Sequence, residues 1–217
     1  MTELEKEELK RQNTLRFIEA TQEIIDTDGL EKISIRKIAE KAGFHNSTIY
    51  LYFKDVNELI LLASLKHFAE YSQALSELEK KAASPLENFL YIWRFFGKTV
   101  FKKPQIFYNF FFGKYSDNLT PIITQYYELF PAEKPRYSKE IEDMYYGNTI
   151  NERCLSILKP LVECPGVRVN QENLILVNTI IVSCLKELLT ENCQKPELTP
   201  CGQTEKLLEM IEYIVQD

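Results

Sequence analysis

Apolar positions along this chain recur at helical spacing and almost nowhere alternate. Between Leu9 and Ile25, Leu15, Ile18, Ile24 and Ile25 follow a 3.6-residue period, and Asp28-Gly29 closes the segment, with Gly29 suited to a left-handed cap. Ser34 can cap a short helix running to Ala42, where Gly43 breaks it, and a second short helix spans Asn46 to Tyr52. Asp55-Val56-Asn57-Glu58 has the form of a capping box and predicts a long helix to about Lys80. Ser84-Pro85-Leu86-Glu87 is a stronger start signal, for a helix that reaches about Lys102 and is ended by Pro104.

Thr120-Pro121 opens another helix, and Phe130 to Tyr137 reads as a loop around Pro131 and Pro135. A helix, whole or broken at Pro160, covers about Lys139 to Glu163, and Cys164-Pro165-Gly166 is a turn. A long apolar helix follows over about Gln171 to Asn192, and Thr204 to Val215 reads as a last amphipathic helix. The pattern predicts an all-α fold of about nine or ten helices.

Composition narrows the class. Hydrophobic residues are 45% and charged residues 27% of the chain, which is ordinary for a globular protein. The first residues lack the basic and apolar regions of a signal peptide, and the longest charge-free apolar run, Asn173 to Leu185, is short of a membrane span. A cytoplasmic location with no membrane partner is expected. Cys154, Cys164, Cys184, Cys193 and Cys201 are widely spaced with no C-x-x-C pair, so they read as reduced thiols, with no metal site and no cofactor. There are two histidines, His45 and His67, and no Gly-rich phosphate loop, nucleophile elbow or HExxH, so no catalytic residues are assigned and an enzyme is not expected.

The net charge is −6, which by itself speaks against nucleic acid. Its distribution changes the picture. Between Lys32 and Lys54 stand five basic residues, Lys32, Arg36, Lys37, Lys41 and Lys54, against the single acid Glu40. The same window holds the most informative motif. Ala39 is small where a second helix would cross, Gly43 supplies a sharp turn, and Phe44, Ile49 and Phe53 can fill the space between two helices that Ile35 and Ile38 also face. That is the spacing of a helix-turn-helix. Thr48, Tyr50 and Tyr52 offer hydroxyls, and Lys54 a charge, to a phosphate-lined groove, while His45, Asn46 and Ser47 stand at the end that meets base edges. Asn46 can pair bidentately with adenine.

The run Ile38-Ala39, Ala42-Gly43, Ser47-Thr48-Ile49-Tyr50-Leu51-Tyr52-Phe53 and Glu58-Leu59 closely resembles the DNA-binding signature of the TetR family. The resemblance is specific over roughly residues 10 to 62 and architectural beyond. It implies a DNA-binding domain over residues 1–55 and a helical ligand-binding and dimerisation domain over 56–217. It also implies a homodimer that binds double-stranded DNA at a palindromic operator, with Ser34, Thr48, Tyr50, Tyr52 and Lys54 on phosphates and His45, Asn46 and Ser47 facing bases. Three positions depart from the common pattern: His45 where serine usually caps, Ser47 for glycine or alanine, and Val56 for a frequent lysine, whose loss would lower DNA affinity.

Twelve aromatics crowd the stretch from Phe89 to Tyr115. In the TetR family the middle helices usually enclose a small-molecule site, and Trp93, Phe96, Phe107, Phe110, Phe111 and Tyr115 are the candidates here for lining one, for an apolar or aromatic effector. By the same resemblance the late helices, near 171–192 and 204–215, would pair with their mates across a two-fold axis. The expected protein is thus a ligand-responsive transcriptional regulator, a repressor released by its effector. The alternative is a helical ligand- or protein-binding module whose helix-turn-helix no longer reads DNA; salt-dependent binding to duplex DNA separates the two.

Overall fold

The computed structural model describes residues 2–78, 84–134 and 147–216, with side chains other than those of Glu70 and residues 72–78. Among the described residues there are nine α-helices joined by turns and short 3-10 segments, and no strand; one isolated antiparallel bridge joins Val167 to Gln216. The all-α expectation holds. The expected helix end at Lys80 and the start of the helix near Lys139 lie outside the described residues.

The first helix, α1, spans Glu3–Asp28 and begins before the apolar period does. Thr2 and Glu5 form a capping box: Glu5 N donates to Thr2 Oγ1 at 3.2 Å and Thr2 N donates to Glu5 Oε2 at 2.7 Å. Its first turns are charged and solvated, so no apolar spacing announces them. Gly29 ends α1 at φ 84°, ψ 164°, a backbone that glycine alone adopts readily but not the left-handed helical cap expected there.

Helix α2, Ile35–Ala42, starts where expected, with Ser34 Oγ accepting from Lys37 N at 3.2 Å. Gly43 ends it at φ 78°, ψ 35°. Gly43 N donates to Glu40 O at 3.2 Å and Phe44 N to Ala39 O at 2.9 Å, the paired bonds of a Schellman end. The second short helix covers Asn46–Leu51 and is 3-10 rather than α. Asp55 Oδ1 accepts from Asn57 N and Glu58 N at 2.8 and 3.0 Å, starting α3, Val56–Leu78. The Glu58 carboxylate reaches back one residue further than a reciprocal box, to Lys54 N at 2.6 Å.

Two prolines were expected in breaks and instead begin helices. Helix α4 covers Pro85–Val100, with Glu87 N donating to Ser84 Oγ at 3.2 Å. Pro104, expected to stop it, opens α5, Pro104–Phe112. After α6 (Leu119–Leu129), α7 (Ile150–Leu158) and α8 (Leu174–Gln194), Pro200 opens α9, Pro200–Val215, four residues before the expected start. Thr199 Oγ1 caps α9 by accepting from Gly202 N at 3.1 Å. Proline lacks the N–H that a first turn leaves unbonded anyway, so the same residue that ends one helix starts the next.

The chain divides into two compact units, one of residues 1–69 and 121–134, the other of 70–120 and 135–217. The core of the first comprises Phe17, Ile18, Ile24, Ile38, Ala39, Ile49, Phe53, Leu59 and Leu62. In the second, α9 packs on α4 and α8, while α5 and α7 pack on α8. The α4–α9 crossing is close. A Cβ on Gly97 would stand 2.9 Å from Thr204 Cγ2 and 3.2 Å from its Oγ1. Gly97→Ala is therefore expected to be destabilising, because overpacking of ~1–3 kcal/mol exceeds the ~1 kcal/mol gained in helix propensity. Thr204→Ser drops the methyl but keeps the hydroxyl, which donates to Pro200 O at 2.6 Å. In that background Gly97→Ala should lose most of its cost; urea denaturation of the four proteins as a double-mutant cycle checks this, and strictly additive effects would refute it.

Candidate DNA interface and effector core

Phe17 of α1 is the post around which the helix-turn-helix is built. It is fully buried, with its ring centroid 4.7 Å from Phe44, 5.6 Å from Tyr52 and 6.0 Å from Phe53. Ile38, Ala39 and Ile49 are fully buried beside it, as the motif requires. The guanidinium of Arg16 lies 4.7 Å over the Phe44 ring, and a Cβ on Gly43 would meet Arg16 Nη2 at 3.0 Å. The turn is thus fixed by a left-handed glycine and by rings from three segments.

Apolar anchoring of this kind dictates which side chains turn outward. Of the helix Asn46–Leu51 only Ile49 is buried; Asn46, Ser47, Tyr50 and Leu51 are exposed and Thr48 is half-buried. His45 takes the capping role that serine usually plays: its Nδ1 accepts from Ser47 N at 3.4 Å and lies 2.9 Å from Ser47 Oγ. The departure from the family pattern at His45 and the one at Ser47 are therefore a matched pair. Tyr52 is half-buried, and its hydroxyl accepts from Asn13 Nδ2 at 2.8 Å, which leaves its own proton to donate. Ser34 and Lys54 are exposed. Sequence reasoning passed over Leu51, which is 72% exposed among these polar neighbours, and over Asn13, which steadies Tyr52. An apolar residue between two tyrosines was the only signal for the first. None existed for the second, because the contact spans 39 residues.

The basic window is less positive than its sequence. Lys37 is ion-paired with Asp28, and Lys41 Nζ lies 2.6 Å from Glu23 Oε1, both acids being on α1. The Lys37 ammonium holds the Asp28 carboxyl below its ordinary range by hydrogen bonding to it. Lys54 Nζ lies 3.7 Å from Glu58 Oε1 but keeps most of its surface in solvent. The outward positive field of the window thus rests on Lys32, Arg36 and Lys54.

In the second unit, Trp93, Phe96, Phe107, Phe110 and Phe111 are all buried, and Tyr115 is half-buried. Trp93 is 5.6 Å from Phe96, Phe96 is 5.6 Å from Phe111, and Phe111 is 5.0 Å from Phe110 and 6.2 Å from Phe107, measured between ring centroids. The structure thus brings five of the six candidates into one connected cluster; Tyr115 instead has the Lys114 ammonium 5.6 Å from its ring. Buried Arg153 joins the cluster, with its guanidinium 6.0 Å from the Phe110 ring and its Nε donating to Gly147 O at 3.1 Å. Nothing in the sequence marked Arg153 as buried. Cys154 beside it is buried, which pushes its thiol well above the ordinary range and makes it unreactive. On α8 and α9, Ile175, Leu176 and Ile180 are 63%, 61% and 39% exposed and Tyr213 79%.

Comparison with known proteins places this arrangement. Residues 17–63 match the model of bacterial regulatory proteins, tetR family. A curated relative, the fatty acid metabolism regulator protein of Bacillus subtilis (strain 168), is 29% identical over 79 residues. That match covers 36% of this chain and 41% of the relative, so the chain spans less than half of the curated relative it matches. Among solved structures, Thermus thermophilus FadR, a TetR family repressor in complex with lauroyl-CoA, is 16% identical at a TM-score of 0.56, covering 91% of this chain and 92% of its own. RolR in complex with resorcinol is 17% identical at a TM-score of 0.59, covering 94% and 89%. These two likenesses establish a shared fold. The helix-turn-helix of residues 17–63 is thus the part of this chain that matches the tetR family of bacterial regulatory proteins.

Proposed function

We propose that this chain is a ligand-responsive transcriptional regulator, a repressor that binds a palindromic operator as a homodimer and is released by a small apolar or aromatic effector. Residues 1–55 form its DNA-binding domain and 56–217 its effector-binding and dimerisation domain. The carrying observation is that a fully anchored turn presents Asn46, Ser47 and Tyr50 outward together. His45, Asn46 and Ser47 face base edges, and Ser34, Thr48, Tyr50, Tyr52 and Lys54 position the phosphates. Binding of the purified protein to random duplexes, with sequencing of the retained fraction, tests the reading. A palindrome should emerge, and Asn46→Ala with Tyr50→Ala should weaken it by ~1–3 kcal/mol or more. Retention that is unselective, or indifferent to salt, would refute it.

Dimerisation is supported by the apolar side chains left in solvent on α8 and α9, a patch of the kind that marks an interface. Leu176→Glu is expected to convert a dimer into a monomer by light scattering and to weaken operator binding with it. A wild-type monomer at micromolar concentration would remove the dimer from the proposal.

Trp93, Phe96, Phe107, Phe110, Phe111 and Tyr115 are proposed to line the effector site. The aromatic cluster supports an apolar effector, and the relatives carry lauroyl-CoA and resorcinol. Two recognition helices must stand ~34–36 Å apart to enter successive major grooves. An effector that prefers a dimer with another spacing weakens DNA binding by its differential affinity for that state.

A further inference from the structure

Leu51 is the one aliphatic side chain of the helix Asn46–Leu51 that the fold leaves in solvent. It is 72% exposed, while Ile49 of the same helix is completely buried. Its chain neighbours are Tyr50, which is 55% exposed, and Tyr52, whose hydroxyl is held by Asn13. Asn46, Ser47, His45 and Lys54, also exposed, surround the same short segment with hydrogen-bonding and charged groups. An apolar side chain set in such a polar face carries a hydration cost that is relieved only where it meets other apolar surface.

We propose that Leu51 is a specificity-determining residue that reads the C5-methyl group of a thymine in each half-site. This rests on the DNA-reading function proposed above. The argument is one of elimination by chemistry. The edges of bases in the major groove carry donors and acceptors throughout, and the thymine methyl is the one apolar group among them. A leucine has no donor or acceptor, so phosphate contact or hydrogen-bonded readout gives it nothing. Methyl-to-methyl contact is the interaction through which it discriminates bases. From Asn46 to Leu51 the chain advances five residues, about 10 Å at the 3-10 rise of about 2.0 Å per residue. With bases about 3.4 Å apart along a strand, the thymine read by Leu51 lies within about three base pairs of the base read by Asn46.

The test uses the full-length protein and the operator it selects from random duplexes. Each thymine of a half-site is replaced in turn by deoxyuridine, which removes the methyl and nothing else. For the wild type, one thymine within that reach should lose about fourfold in affinity per half-site, the worth of roughly one buried methyl group. For Leu51→Ala the same replacement should change nothing, and Leu51→Met should restore the sensitivity. Leu51 is exposed, so Leu51→Ala keeps its helical circular dichroism and melting temperature; a variant that does not fold is replaced by Leu51→Gln in the same comparison. The proposal is overturned if deoxyuridine affects wild type and variant alike, or neither, while both bind the operator. It is likewise overturned if Leu51→Ala leaves operator choice unchanged but breaks the dimer, because the side chain would then be a protein contact. Absence of any wild-type binding to DNA is a separate result, and it removes the parent function as well.

Discussion

Phe17→Ala is expected to cost ~3–5 kcal/mol and to abolish operator binding although residue 17 touches no DNA. The side chain is fully buried and faces three other rings, from the turn (Phe44), from Tyr52 and from Phe53. Its removal leaves a cavity whose lining cannot close, because Gly43 and the Arg16–Phe44 stack fix the surrounding backbone. Against a typical total of ~5–15 kcal/mol, such a loss leaves the first unit marginal. Urea denaturation followed by circular dichroism measures it. Phe17→Leu, which keeps most of the volume, should cost under ~1.5 kcal/mol. An alanine variant that loses less than ~1 kcal/mol and still selects its palindrome would show that the aromatic post does not hold the reading helix in place.

Trp93→Ala should be equally costly for the second unit, at ~3–5 kcal/mol. Trp93 is 2% exposed and sits 6.3 Å from Phe89 and 5.6 Å from Phe96, both in edge-to-face contact. Yet Trp93→Phe should change stability by only about 1 kcal/mol. The indole Nε1–H meets no acceptor among the described residues. A buried donor without an acceptor costs ~1–3 kcal/mol, and phenylalanine removes that cost along with some apolar area. The contrast between the two variants is the measurement. If phenylalanine is as damaging as alanine, the indole N–H has a partner in solution, and an effector or a bound water is the place to look.

The parts of this fold that sequence made legible are those determined locally. Ser34 and Gly43 bracket α2 because a hydroxyl at N-cap and a left-handed glycine act within one turn, and Ser84-Pro85 starts α4 for the same reason. The outward turn of Asn46, Ser47 and Tyr50 also followed from local packing around Ile49. Pro104 and Pro200 misled because a helix stop and a first helical position make the same demand on φ. The pairing of Lys37 with Asp28 and of Lys41 with Glu23 depends on how α1 crosses α2, which no local pattern carries, so the basic window looked more positive than it is. Arg153 gave no sign of burial for a similar reason: its surroundings come from α5 and from the segment before α7.

The chain has one tryptophan, and it belongs to the aromatic cluster through Phe96. That makes the molecule self-reporting. The indole is shielded from water, so its fluorescence should be blue-shifted while the second unit is folded and move to the red when it opens. An effector entering among Phe96, Phe107 and Phe111 would alter that emission without any label. The same light therefore follows both the opening of the second unit and the entry of an effector in one spectrum.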